Sequence, residues 1–198
     1  MRNKSFGENN LSLLDTIIFK IRFKKIQKYI TDTDVLVDLG CGYNAESIHF
    51  LHTKFKFKKI IGIDLNVNKN KNGNTIVLKQ GNLNDTLDIL DNSVDVVLSL
   101  AVLEHLDNPL HNLKEISRVL KPGGKLILTT PTPLAKPILE FMAHRLKLIS
   151  SEEINDHKNY FDSKKLRDML EEANFEKQHI HTSIFLFGFN NFVLATKK

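Results

Sequence analysis

The chain has 198 residues, 41% apolar and 26% charged, with a formal net charge of +5. That balance excludes disordered and collagen-like classes, and the length fits one domain that buries its own core. A single cysteine, Cys41, excludes an intrachain disulfide framework. Met1-Arg2-Asn3-Lys4 opens no signal-like apolar run, and no stretch approaches the roughly 18 apolar residues of a membrane span, so a cytoplasmic, non-integral protein is expected.

In chain order, Leu13 to Ile30 reads as a basic amphipathic helix, with Phe19, Phe23, Ile26 and Ile30 on one stripe and Lys20, Lys24 and Lys28 beside it. Segment 1–33 is thus expected to be a flanking or lid helix, and its lysines also fit a peripheral membrane contact. Val35-Leu36-Val37, ending at Asp38, is a short strand, and a Gly-containing turn leads into a helix from about Ala45 to Thr53. Further strands are expected at Ile60–Ile63, Thr75–Leu78 and Val94–Leu98. Their unbroken apolar runs suit parallel strands covered on both faces.

Asn108-Pro109 has the chemistry of an N-cap followed by N1, and Leu113, Ile116 and Leu120 recur at helical spacing until Pro122-Gly123-Gly124 ends the run. A fifth strand covers Lys125 to Thr129. Ser163 is the expected cap of a helix carrying Leu166, Met169, Leu170 and Ala173 on one face, with Asn174 suited to a left-handed end. Gln178–Phe187 and Asn191–Ala195 read as a hairpin around Gly188. Strands alternating with helices predict an α/β domain over 34–198 with a doubly wound, mostly parallel sheet. Ligands of such sheets bind at the carboxyl edge, so residues that follow strands carry the information.

There the chain reads Asp38-Leu39-Gly40-Cys41-Gly42-Tyr43-Asn44-Ala45, an acid ending a strand before two glycines that leave the turn without Cβ atoms. Asp64, ending the next strand, is placed to accept hydrogen bonds from two ribose hydroxyls. A nucleoside-containing ligand follows. The turn also satisfies the G-x-G-x-x-A form of the dinucleotide fingerprint. A pyrophosphate prefers helix amides without a nearby carboxylate, however, whereas Asp38 suits a ligand bearing an amine or sulfonium. That favours S-adenosylmethionine over NAD.

With these residues the chain resembles the class I S-adenosylmethionine-dependent methyltransferases, particularly their compact core-domain members. The likeness runs from about Asp34 to Lys198. It rests on the Asp-Leu-Gly-Cys-Gly turn, Gly62-Ile63-Asp64, Gly81-Asn82, Ser93–Val97 leading to Leu103-Glu104-His105-Leu106, and Leu120-Lys121-Pro122-Gly123-Gly124. The resemblance implies a seven-stranded sheet with one antiparallel strand near the end of the chain. It also implies that Asp38, Gly40 and Gly42 face the methionine part of the cofactor, Asp64 the ribose, Leu65 and Leu83 the adenine faces, Asn82 the adenine amino group, and Leu100 the reactive methyl. Two departures stand out: Asn44 where many relatives carry glycine, and Asn82 where aspartate is common.

Methyl transfer from a sulfonium is a direct displacement, so the protein chiefly aligns acceptor and methyl carbon, and a base helps when the acceptor is a hydroxyl. His105, His157 and Tyr160 are the acceptor-side candidates. The last two fall in the 131–162 segment, where the family's substrate-selecting insertions lie. Cys41 has no activating base beside it in sequence and reads as a small turn residue. His49 with His52, and His179 with His181, lack the further ligands of a zinc site, so no metal is expected.

The run Lys54-Phe55-Lys56-Phe57-Lys58-Lys59 reads as a solvated link anchored by its phenylalanines. After the fourth strand Ser99-Leu100-Ala101-Val102 lacks the Asn-Pro-Pro-Tyr type of sequence of amino-methylating DNA enzymes, so a nucleic-acid acceptor is disfavoured, with RNA left open. The expected acceptor is a small molecule, sugar or lipid methylated on oxygen or nitrogen, under a lid formed by Leu134–Leu148 and the amino-terminal helix. A cofactor-binding domain without activity, an RNA methyltransferase and an NAD-dependent dehydrogenase are the alternatives.

Overall fold

The computed structural model describes residues 13–146, 149 and 151–198. The first twelve residues of segment 1–33, and Lys147, Leu148 and Ser150, lie outside them. Among the described residues seven strands form one sheet: β1 (Thr33–Leu39), β2 (Phe57–Asp64), β3 (Ile76–Gln80), β4 (Val94–Leu100), β5 (Leu120–Pro131), β6 (Ile180–Phe185) and β7 (Asn190–Thr196). Their order is β3-β2-β1-β4-β5-β7-β6. The first five are parallel to one another, and β7 runs antiparallel to both β5 and β6. The predicted doubly wound sheet with one antiparallel strand is therefore present.

The α-helices are α1 (Leu13–Ile26), α2 (Glu46–His52), α3 (Pro109–Val119), α4 (Ala135–His144), α5 (Ser151–Asn155) and α6 (Ser163–Glu172). Alternation along the strands divides the core between two faces. Val37, Leu39, Ile61, Val97 and Leu126 pack with Leu113 and Ile116 of α3 and Leu166 and Leu170 of α6. Leu36, Ile60, Val96 and Leu98 pack on the other face with Phe23 and Ile26 of α1 and Ile48 and Leu51 of α2. Strands covered on both sides are apolar at consecutive positions, as in Leu36-Val37, Ile60-Ile61 and Val96-Val97-Leu98. Because β1 lies between β2 and β4, the sheet's order reverses there, and the carboxyl ends of these three strands meet.

Several boundaries differ from the sequence expectation for physical reasons. The helix expected to reach Ile30 is α-helical only to Ile26 and tightens into a 3₁₀ turn at Gln27–Tyr29. Its apolar stripe persists, with Phe23, Ile26 and Ile30 buried. Pro122-Gly123-Gly124 does not end α3, which stops at Val119; these residues form an irregularity inside β5, whose pairing with β4 jumps from Val94↔Leu120 to Val96↔Lys125. Asp162 rather than Ser163 caps α6, accepting the Lys165 N–H at 2.7 Å, while the Ser163 hydroxyl turns to Asn191. Asn174 does adopt the left-handed conformation, with φ 68°. The stretch Leu134–Leu148 contributes α4, which ends at His144. No helix among the described residues is long and apolar enough to cross a membrane.

Gly62 marks the tightest packing of helix on sheet: a Cβ there would sit 2.6 Å from Ile48 Cδ1 and 2.8 Å from both Cys41 Sγ and Leu78 Cδ2. Gly62→Ala should therefore cost about 1–3 kcal/mol in urea unfolding. Gly73→Ala, with nothing within 4 Å of the added carbon, should leave the midpoint nearly unchanged. Equal effects of the two changes would contradict this packing.

Candidate functional site

The turn after β1 is clasped to the end of β2. The N–H groups of Gly40 and Cys41 both donate to the Ile63 carbonyl, at 2.8 and 3.3 Å. Asp64 completes the clasp: Oδ2 accepts the Gly42 N–H and Oδ1 accepts the Leu65 N–H, each at 2.8 Å. A carboxylate offers about four lone-pair positions, so one side chain can serve several donors at once. Gly40 has φ 73°, and a Cβ on it would lie 2.3 Å from Val102 Cγ2, so the turn is wedged directly against the loop after β4. The left-handed residue that opens α2 is Ala45, with φ 50°, and not its neighbour Asn44.

Beneath the turn lies Asp38, 2% exposed, with the Ser47 hydroxyl from α2 donating to Oδ2. Burial pushes its carboxyl up to about 7, against the Ser47 bond, which lowers it, and with a smaller upward push from Asp64. Burial likewise raises the Cys41 thiol, aided by Asp38 and Asp64, which keeps it protonated and unreactive.

A cavity of about 810 Å³ opens at this carboxyl edge. Gly40, Asp64, Leu65, Asn82, Leu83 and Leu100 all line it. A recess of about 60 Å³ shares Gly40 and Leu100 with it and adds Asp38 and Gly42. All eight residues expected at a cofactor are thus gathered in two adjoining spaces. Leu100 belongs to β4 itself and does not follow it. Asn82 Oδ1 accepts the Asn84 N–H at 3.1 Å, and Asn84 Oδ1 in turn accepts the Asp107 N–H at 2.8 Å. The loop after β3 is thereby tied to the approach to α3.

The roof is mostly apolar. It comes from Ile18 and Phe19 of α1, Ile138, Leu139 and Met142 of α4, and Phe187 and Phe189 of the hairpin tip, with Arg22 of α1 and Asn190 as its polar members. Residues of both segments expected to form a lid, from α1 and α4, line the cavity. The tip holds Leu186 and Phe187 at φ 52° and 56°, a conformation uncommon for bulky side chains, and Phe187 is 96% exposed.

The remaining wall is polar, formed by Glu104, His105, Asp156 and His157. His105 Nδ1 lies 3.1 Å from Asp156 Oδ2, and His157 Nδ1 lies 3.0 Å from the Tyr160 hydroxyl. The two imidazoles meet edge to face, 4.7 Å between centroids. Tyr160 is not among the cavity-lining residues and reaches the site only through His157. Burial, with Glu140 and Glu104 nearby, pushes its phenol up to about 12, so it remains protonated. Glu104 is buried and accepts the Thr130 hydroxyl at 2.9 Å, while its carbonyl accepts the N–H groups of Lys158 and Asn159. These carbonyl bonds bring the 154–160 segment onto the loop after β4. Sequence reasoning gave no role to Glu104 or Asp156, although Glu104 stood in the quoted Leu-Glu-His motif.

A family model described as a methyltransferase domain matches residues 18–180. The chain is 32% identical over 116 residues to a probable methyltransferase of Aspergillus luteorubrus, covering 50% of this chain and 40% of that protein. It is 26% identical over 193 residues to the ubiquinone biosynthesis O-methyltransferase of Rickettsia bellii, covering 92% and 77%. Among solved structures, an S-adenosylmethionine-dependent methyltransferase of Thermotoga maritima, titled a possible histamine N-methyltransferase, superposes with a TM-score of 0.68 at 19% identity, covering 92% of this chain and 90% of that one. That last likeness concerns the fold.

The raised carboxyl of Asp38 has a consequence for stability. A group whose folded pKa lies above its unfolded value destabilises the folded state once ionised, so its cost grows as pH rises from about 4 towards 7 and is complete above. Asp38→Asn should therefore melt higher than the wild type at about pH 8, and the difference should shrink towards about pH 4. Scanning calorimetry of the unliganded proteins checks this, and a variant less stable at the higher pH would contradict the assignment.

Proposed function

The chain belongs to the class I S-adenosylmethionine-dependent methyltransferases, and from that premise we propose that it transfers the cofactor's methyl group to a hydroxyl of an apolar, lipid-type or aromatic small molecule held in the large cavity. The observation that carries this reading is the contrast between a mostly apolar roof, in which Arg22 and Asn190 are the polar members, and a wall that gathers Glu104, His105, Asp156 and His157. A sugar would leave hydroxyls unpaired against Ile138, Leu139, Met142 and Phe189, whereas an apolar acceptor with one reactive oxygen matches both surfaces. The name of the Rickettsia relative, an O-methyltransferase of ubiquinone biosynthesis, is consistent with an oxygen acceptor.

On this reading the recess holds the cofactor's methionine part, with ionised Asp38 facing its amine. Asp64 takes the ribose hydroxyls while continuing to hold the Gly42 and Leu65 amides. Leu65 and Leu83 flank the adenine, Asn82 accepts from its amino group, and Leu100 backs the sulfonium methyl. The acceptor oxygen docks against His105 and His157. Transfer forms the new C–O bond as the C–S bond breaks, and the acceptor's proton leaves through the polar wall. Tyr160 and Asp156 act as positioning residues, setting the tautomer and tilt of His157 and His105. Roof closure excludes water from the displacement.

The cavity mouth fits acceptors delivered from an apolar phase. Ile138 and Phe187, which line it, are exposed, and Leu134, Phe141, Lys136 and Arg145 are exposed on or beside α4. Residues of this kind suit a peripheral contact with a lipid surface.

Two measurements test the assignments. Asp64→Ala should weaken S-adenosylhomocysteine binding about tenfold or more in a calorimetric titration, through lost hydrogen bonds to a charged group. Unchanged affinity would remove Asp64 from the cofactor site. His157→Ala should lower transfer to hydroxyl acceptors by about 10²-fold with S-adenosylhomocysteine affinity preserved; full transfer activity in that variant would remove His157 from the acceptor side.

A further inference from the structure

Glu104, His105 and His157 each present one potential ligand atom, and these atoms lie within 4.8 Å of one another. We infer that this trio is a divalent-cation site on the acceptor wall, selecting a borderline transition-metal ion such as Zn²⁺, Co²⁺, Fe²⁺ or Mn²⁺. Two imidazoles and one carboxylate form the facial set that leaves further positions open for an exogenous oxygen. An ion bonded at about 2.1 Å to each ligand needs the three atoms roughly 3–3.5 Å apart, a closure within reach of small side-chain rotations. The nitrogen donors favour this class of ion over Mg²⁺ or Ca²⁺, which prefer all-oxygen shells.

The outer shell supports the assignment independently of that convergence. A metal-bound histidine characteristically donates its second ring N–H to a carboxylate or another oxygen, which fixes the ring and its tautomer. Both rings have such a partner: Asp156 Oδ2 at 3.1 Å from His105 Nδ1 and the Tyr160 oxygen at 3.0 Å from His157 Nδ1. In the tautomer whose Nδ1–H donates to these oxygens, Nε2 is the ligand nitrogen. Glu104 is oriented by the Thr130 hydroxyl in the same manner.

Whether the ion binds does not depend on the proposed function; what it does there rests on that reading. An acceptor hydroxyl coordinated in an open position becomes more acidic. Its O–H bond breaks and the proton passes to solvent. The oxygen's electron pair then forms the C–O bond while the C–S pair returns to sulfur, giving the methyl ether and S-adenosylhomocysteine.

The test is equilibrium dialysis of the untagged, chelator-treated full chain against Co²⁺, with bound metal measured by mass spectrometry and visible absorption. S-adenosylhomocysteine is titrated into the same samples. One Co²⁺ per chain is expected, with binding weakened about 10–100-fold by Asp156→Asn and at least as much by His157→Ala. His181→Ala, on the exposed side of β6, should bind as the wild type does. Substoichiometric Co²⁺ in wild-type protein that still binds S-adenosylhomocysteine, or affinity that survives His157→Ala, overturns the site. Stoichiometric Co²⁺ without S-adenosylhomocysteine binding supports the metal site while removing the proposed cofactor pocket.

Discussion

The clasp between β2 and the turn after β1 is the constraint on which the rest of the carboxyl edge depends. Ile63 and Asp64 together take four backbone N–H groups, from Gly40, Cys41, Gly42 and Leu65. Tight turns leave amides that cannot pair within a sheet, and burying them unpaired would be costly. Supplying their acceptors from the neighbouring strand lets the turn stay rigid while its surface remains bare for a ligand. The same clasp places a second carboxylate, Asp38, under the turn, where burial opposes its ionisation. The fold therefore holds an unfavourable group at the point where a cationic ligand would relieve it. Functional sites commonly retain such a cost to stability.

The cavity obeys a second division, between scaffold and cover. The residues that line it beside the β1 turn and after β2, β3 and β4 stand on strand ends or the loops that follow them, whose positions the sheet dictates. Its roof comes from α1, α4 and the hairpin tip, which pack against the core through fewer side chains and expose Ile17, Ile21, Ile138, Phe141 and Phe187. Rigid placement of the cofactor with a more variable roof is how one fold can serve many acceptors. The polar wall joins the two parts: the Glu104 carbonyl receives the amides of Lys158 and Asn159, anchoring the segment that carries His157 and Tyr160 to the loop after β4.

Much of this was legible because local chemistry and fold agree. Apolar runs identified the parallel strands and Asn108-Pro109 the start of α3, and Asp38, Gly40, Gly42 and Asp64 marked the carboxyl edge at which the cavity opens, all from patterns within a few residues. What could not be read depended on contacts distant in the chain. Glu104, His105 and His157 converge across a separation of more than fifty residues, and no spacing rule connects them. The choice of Asp162 over Ser163 as the α6 cap was hidden because both residues can cap, and the Ser163 hydroxyl is engaged by Asn191 on β7. Ala45 in the left-handed region ran against propensity, and the clasp around it supplies the reason.

The buried carboxylate of Asp38 is the most direct point at which to test how the fold meets its cofactor. Titrating the protein with S-adenosylhomocysteine at about pH 6.5 in two buffers of different ionisation enthalpy measures the protons exchanged on binding. A cationic amine seated beside Asp38 favours its ionised form, so binding should release protons, and Asp38→Asn should abolish that release. Binding heat independent of the buffer, in a protein that binds the ligand, would place the amine elsewhere and contradict the role assigned to the recess.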